Sequence, residues 1–138
     1  MDKNSDFERD CEWFGASLPA PENTVSSNAD CLGSARRLAE PLGFLGIVCD
    51  GVSASSHGRS AAHIACEMVV SPFMHDWTGQ EAGPWLNSAL RAAHGRVREQ
   101  YPRGEALCTV VSALPCLRGG LVRTMNLAPF HQQSHSTA

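Results

Sequence analysis

The order of the predicted elements places this 138-residue chain in the α+β class. Two short β-rich segments come first, two amphipathic segments follow, and two further β-rich segments separated by a glycine pair come last. Strands and helices that are grouped along a chain, rather than alternating, favour a largely antiparallel sheet. Because the two helical segments are neighbours in the sequence, we expect them to pack as an antiparallel helix pair on one face of that sheet.

The first two strands are predicted at residues 31–33 and 42–49. Cys31-Leu32-Gly33 follows a polar segment, and the glycine is expected to turn the chain there. The run from Leu42 to Cys49 is short, apolar and β-rich, which indicates a buried strand. It ends abruptly in Asp50-Gly51, and a loop of small residues follows.

Two helices are predicted next, from Gly58 to about Phe73 and from Pro84 to about Gln100. Proline suits the first turn of a helix, whereas Ser71-Pro72 is expected to close the first helix. The apolar face of the first helix recurs at spacings of three and four, and it comprises Ala61, Ala62, Ala65, Met68 and Val69.

The last two strands are predicted at Leu107–Leu114 and Leu121–Leu127, joined by a hairpin turn at Arg118-Gly119-Gly120. Residues 1–22 are predicted to be a peripheral N-terminal segment. Residues 128–138 are polar and are predicted to be a disordered tail.

The bulk properties exclude several classes of partner. The net charge of −3 and the isoelectric point near 6.0 predict neither nucleic acid nor an anionic membrane as a partner. No apolar stretch approaches the roughly 20 residues that span a bilayer. None of the six cysteines stands in a Cys-x-x-Cys pair, so we expect reduced thiols and a cytoplasmic protein. A zinc site is a weaker alternative, because no spacing matches a known zinc motif.

The strand end at Asp50-Gly51 is the segment that indicates chemistry. A buried strand that ends in an aspartate needs a cation or a hydrogen-bond donor to satisfy the carboxylate. A carboxylate and a nearby carbonyl oxygen suit a hard metal ion. From these residues alone, a strand-end turn capped by Asp50 is the alternative, as is a surface turn at Asp30.

Four segments, in order, resemble the N-terminal half of the metal-dependent protein phosphatases (PPM type, protein phosphatase 2C). Asn28-Ala29-Asp30 stands where the family has Asn-Glu-Asp, and residues 48–52 (Val-Cys-Asp-Gly-Val) resemble Val-Ala-Asp-Gly-Val. Residues 58–62 match the opening of the first helix. Residues 108–114, with Gly119-Gly120-Leu121 after them, resemble a strand and its hairpin. The resemblance spans about residues 23–127, which we take as a partial PPM-type phosphatase domain.

The resemblance implies a fold, an activity and a set of ligands. The family fold is a four-layer αββα sandwich, so this chain would form an incomplete one, a partial β-sandwich. The family hydrolyses phosphoserine and phosphothreonine in proteins with water activated by two Mg²⁺ or Mn²⁺ ions. Asp50 would then be the bridging metal ligand, Gly51 would offer its carbonyl, and Asp30 would assist nearby. No residue of this chain is assigned a catalytic role or a role in binding any other cofactor.

The chain departs from the family pattern in ways that weaken the site. Val25 stands near the place of a phosphate-binding arginine, and Ala29 replaces an acidic or amide residue. No Asp or Glu follows Glu105, although further metal-binding aspartates of the family lie after the last hairpin. The tail after Leu127 resembles the product of a truncation or a shifted reading frame.

These departures predict little or no phosphatase activity for this chain. Strand faces that the absent half would cover are expected to be exposed and to favour self-association. A non-catalytic pseudophosphatase that acts as a binding module is the alternative. A small α+β binding domain unrelated to phosphatases is a third reading.

Overall fold

The computed structural model describes residues 15–18, 28–39, 41, 43–116 and 119–127. Four strands and two helices confirm the predicted α+β order. In chain order they are β1 (Cys31–Arg37), β2 (Gly43–Gly51), α1 (Gly58–His75), α2 (Ala82–Gln100), β3 (Cys108–Cys116) and β4 (Gly119–Leu127).

The strands form one antiparallel sheet in the order β1-β2-β3-β4. β1 and β2 are consecutive in the chain, as are β3 and β4, whereas β2 and β3 pair across both helices. The register pairs Cys31 with Cys49 and Asp50 with Thr109. Because Asp30 directly precedes β1, this register brings it to the same end of the sheet as Asp50.

Both helices pack on one face of the sheet, which we call the helix face. Alternate residues of β2 point to the helix face, so Leu45 and Ile47 are fully buried. Val48, which follows Ile47, points the other way and is exposed. The opposite face, which we call the open face, carries Val48 and Val111, paired in register. The short connection at 76–81 turns the chain back, so the contacting helices form the predicted antiparallel pair. The largest fully buried side chains are Phe73, Leu45, Ile47, Leu86, Leu90, Leu114, Val69 and Val110.

The predicted hairpin of the last two strands is confirmed, but Gly119-Gly120 belong to β4 and not to its turn. The turn predicted at Gly33 is wrong, since Gly33 lies inside β1. A Cβ atom at Gly33 would come 2.5 Å from Sγ of Cys66 and 2.9 Å from Cγ2 of Ile47. The glycine therefore serves close packing of β1 against α1, not a turn.

The first helix ends at His75, two residues beyond its predicted end near Phe73, so Ser71-Pro72 does not close it. Proline removes one backbone donor, but the carbonyl of Pro72 still accepts the N–H groups of Asp76 at 2.7 Å and Trp77 at 3.0 Å. Phe73 is fully buried and stacks on Trp77, with ring centroids 5.2 Å apart. Packing of these rings favours the extension of the helix to His75.

The remaining predictions about organisation lie largely outside the described residues. They concern the N-terminal segment, of which only residues 15–18 are described, and the tail at 128–138. The sandwich with four layers stays a prediction, because the described strands form one sheet. Neither described helix combines the length and the apolar character needed to cross a membrane.

Candidate metal site

The carboxyl groups of Asp30 and Asp50 meet at the shared end of β1 and β2. Each residue adjoins a member of the register pair Cys31–Cys49, so the antiparallel ladder itself sets the two side chains opposite each other. The two side chains are near enough for Asp30 to act on the titration of the Asp50 carboxyl. Asp50 is exposed and Asp30 is half-buried, so the pair is open to solvent.

The pKa of the Asp50 carboxyl is raised above its ordinary value. Partial burial is the largest cause, followed by the hydrogen bond with Asp30 and then by the negative charge of Asp30. Two carboxylates in contact repel each other when both are ionised, so one of them holds its proton more tightly. A positive charge placed between the two carboxylates would relieve this repulsion.

A short polar network holds Asp30 in place. The Ser17 hydroxyl donates to Oδ2 of Asp30 at 2.7 Å, and the Asn28 amide donates to Oγ of Ser17 at 2.8 Å. The Asp30 N–H in turn donates to Oδ1 of Asn28 at 3.1 Å. Ser17 is a site residue that the sequence analysis missed. It lies 13 residues upstream in no motif, so no local signal pointed to it.

Gly51 lies where three backbone segments converge. A Cβ atom at Gly51 would come 2.6 Å from the carbonyl oxygens of both Ala29 and Gly58. A Cβ atom at Gly58 would in turn come 2.9 Å from the backbone nitrogen of Val52. The two glycines let the end of β2 cross the start of α1 in close contact, directly beside the Asp30–Asp50 pair.

The loop at residues 52–57 is fixed by the segment that leads into β3. Val52 N–H donates to the carbonyl of Leu107 at 3.0 Å, and His57 N–H donates to the carbonyl of Glu105 at 3.0 Å. The Ser55 hydroxyl donates to the Glu105 carbonyl and accepts from Leu107 N–H at 3.2 Å. Ser55 therefore joins the loop to the segment at residues 105–107 by two hydrogen bonds.

The His57 ring lies at the far end of this loop. It stacks on Tyr101, with ring centroids 4.7 Å apart. The His57 ring therefore packs on Tyr101, the residue that follows α2.

The donor chemistry of this strand end suits a hard divalent cation. Asp30 and Asp50 have carboxylate oxygens, and Gly51, which follows Asp50, has a backbone carbonyl oxygen. These are the ligand types of Mg²⁺ and Mn²⁺. Such ions need about six oxygens, so water or substrate would supply the rest. Across the described ranges, no three or more His, Cys, Asp or Glu side chains are grouped to hold a metal ion. The oxygen donors of the protein are therefore of the type that Mg²⁺ and Mn²⁺ prefer, but they are few in number.

The family resemblance rests on the sequence motifs alone. Comparisons of the chain with protein-family models, with curated proteins and with solved structures found no match.

Proposed function

We propose that this chain carries metal-binding residues of a metal-dependent protein serine/threonine phosphatase of the PPM type, and that it has little or no activity alone. One observation carries the proposal: Asp30 and Asp50 meet at one sheet end, beside Gly51. These three residues are the ones that the resemblance assigns to Mg²⁺ or Mn²⁺. The proposal includes an incomplete αββα fold, a phosphoprotein substrate and a cytoplasmic location.

In this proposal the two carboxyls bind the cation and release a proton as they do so. A divalent cation bound here would lower the pKa of its water and screen the charge of a phosphate ester. The Asp50 carboxylate would bind the ion directly, and the hydrogen bonds from Ser17 and Asn28 would orient the Asp30 carboxyl. Gly51 lets the backbone approach the ion closely, because it has no side chain.

Calorimetric titration of Mn²⁺ into the full chain tests this proposal. We expect weak binding that Asp50→Asn and Asp30→Asn each weaken at least tenfold. Binding should tighten as the pH rises through the raised pKa of Asp50, because the proton held by the pair has to leave. Asp76→Asn is the matched control, since Asp76 is an exposed aspartate at the other end of α1. Its Mn²⁺ affinity should equal that of the unaltered chain.

Two results would contradict the metal site. One is binding of Mn²⁺ that survives both substitutions at the carboxylate pair. The other is the absence of any heat of binding from a chain that circular dichroism shows to be folded.

A phosphatase assay with Mn²⁺ tests the expected lack of activity separately. Turnover of a phosphomonoester by purified, monodisperse chain should be near background. Turnover that Asp50→Asn abolishes would contradict the expected inactivity and show that Asp50 is needed for catalysis.

A non-catalytic binding module is the second candidate. The shortage of protein ligands within the described residues favours it, as does Val25 near the position where the family has an arginine. A folded chain that binds a phosphoserine peptide but no Mn²⁺ would support this reading over the first.

A further inference from the structure

A cysteine and a histidine from two different elements lie side by side. Sγ of Cys31, the first residue of β1, is 3.6 Å from Nδ1 of His63 in α1. The two residues are 32 positions apart in the chain, so no local spacing in the sequence indicates that they meet. We call them the Cys31–His63 pair.

The packing of α1 on β1 sets the spacing of the pair. A Cβ atom at Gly33 of β1 would come 2.5 Å from Sγ of Cys66 and 3.0 Å from Cγ2 of Val70, which both belong to α1. Any larger residue at position 33 would push α1 away from β1 and separate His63 from Cys31. The pair is therefore held by a helix packed on a strand, which positions ligands more precisely than a loop does.

The Cys31–His63 pair is open to solvent. Cys31 is half-buried, and His63 is exposed. A dissolved ion can reach both side chains in the folded protein, and water can occupy its remaining coordination positions. Half-burial disfavours a bare thiolate at Cys31, so a cation that displaces the thiol proton would also supply the compensating charge.

The distance between the two atoms matches the span of two ligands across a tetrahedral zinc ion. Zinc binds a thiolate sulfur at about 2.3 Å and an imidazole nitrogen at about 2.1 Å, so tetrahedral angles place these ligands about 3.6 Å apart. Sulfur and imidazole nitrogen suit zinc, whereas the oxygens of Asp30 and Asp50 suit Mg²⁺ and Mn²⁺. The two sites therefore differ in the class of metal ion that they prefer.

We propose that Cys31 and His63 bind one Zn²⁺ ion, with water at its other positions. In the metal-free chain the thiol and the ring are near enough to hydrogen-bond, and zinc replaces the proton between them, which leaves to solvent. Among the described residues no third His, Cys, Asp or Glu side chain is grouped with the pair, so binding is weaker than at a structural zinc site with four protein ligands. This inference does not depend on the proposed phosphatase chemistry.

Titration of Co²⁺ into the reduced full chain tests the proposal. Co²⁺ adopts the coordination of Zn²⁺, and its bond to a thiolate gives a charge-transfer band in the near ultraviolet. We expect this band to saturate at one Co²⁺ per chain and to disappear when excess Zn²⁺ is added. Cys31→Ala should abolish the band, and His63→Ala should weaken Co²⁺ binding at least tenfold.

Two variants are controls. His75→Ala removes another exposed histidine of α1 and should leave the band and the Co²⁺ affinity unchanged. Asp50→Asn should also leave both unchanged, and loss of the band in that variant would assign the ion to the carboxylate pair and overturn the proposal.

Two further results would overturn the zinc site. One is a band that survives Cys31→Ala, and the other is the absence of a band from a chain that circular dichroism shows to be folded. Because His63 is exposed, we expect His63→Ala to fold. An unchanged Co²⁺ affinity in His63→Ala would therefore refute the site even where Cys31→Ala fails to fold.

Discussion

At the scale of single residues, the Asp50 carboxyl couples the candidate site to stability. Its pKa is raised in the folded protein, first by partial burial and then by Asp30, so the native state holds this proton more tightly than the unfolded chain does. Stability from this group is therefore greatest at low pH and declines as the pH rises through the raised pKa. Without metal, the ionised pair destabilises the fold at neutral pH.

Asp50→Asn should therefore stabilise the metal-free protein at pH 7. The expected gain is below about 1 kcal/mol, because the pair is exposed and solvent screens it. The gain should vanish near pH 3, where the carboxyl of the unaltered chain is protonated in both states. Urea unfolding with a chelator present, at both pH values, measures it. Glu67→Gln on the exposed side of α1 is the control, and an equal gain from it would refute the role of the pair.

Gly51→Ala should destabilise the protein by about 2 kcal/mol, because overpacking of backbone against backbone has no easy relief. The new Cβ atom would lie 2.6 Å from the carbonyl oxygens of Ala29 and Gly58. Gly95→Ala is the control, since no atom lies within 4 Å of a Cβ there. That change should stabilise α2 by about 0.5–1 kcal/mol. Thermal unfolding followed by circular dichroism compares the two, and similar melting temperatures would contradict the crossing described for Gly51.

The ordered motifs were enough to single out Asp30 and Asp50 in the sequence, because each adjoins a recognisable strand. The support that Ser17 gives to Asp30 was not predictable, because it depends on a tertiary contact with no periodic signal. The same holds for Ser55, whose loop looks merely small and polar until Glu105 and Leu107 are brought against it.

At the scale of elements, Arg37 links the end of β1 to the end of α1. Its Nη1 donates to the carbonyls of Phe73 at 3.1 Å and Met74 at 2.8 Å, and its Nε donates to the carbonyl of Pro41 at 3.1 Å. The carbonyls at a helix C-terminus carry partial negative charge, which a guanidinium complements.

Arg37→Met should cost about 2 kcal/mol of unfolding free energy, because three hydrogen bonds from a charged donor to backbone carbonyls are lost. Arg91→Met, at an exposed position of α2, serves as the control and should change stability by less than about 0.5 kcal/mol. Denaturant unfolding of both variants checks this. Equal midpoints would mean that the last turn of α1 is stabilised by packing alone.

Element order was predictable because hydrophobic periodicity survives in a single sequence. Element ends were not, and each error has a tertiary cause. Gly33 looks like a turn residue, yet it lies within a strand because Cys66 packs on it. Pro72 looks like a helix end, yet α1 continues to His75 and buries Phe73.

At the scale of the whole molecule, the open face carries an apolar row. Leu32, Val48 and Val111 are register neighbours across three strands, and Val48 and Val111 are 38% and 41% exposed. We expect a second copy of the chain to cover this row at high concentration, since an uncovered apolar sheet favours association.

Val111→Lys should therefore lower the weight-average mass that sedimentation equilibrium measures at high concentration. The lysine would place a charge at one end of the row, beside Val48. Ala92→Lys adds the same charge at an exposed position of α2 and should leave the mass unchanged. A chain that stays monomeric at all concentrations would refute association through this face.

The pairing of β2 with β3 has a consequence for how the chain reaches its native state. Those two strands are central, yet both helices lie between them in the chain, whereas β1–β2 and β3–β4 are local hairpins. Closing a long segment loses much chain entropy before any contact compensates for it. We expect refolding to be limited by this closure. In stopped-flow measurements, Val110→Ala in β3 should slow refolding, whereas Ala35→Gly in β1 should mainly speed unfolding.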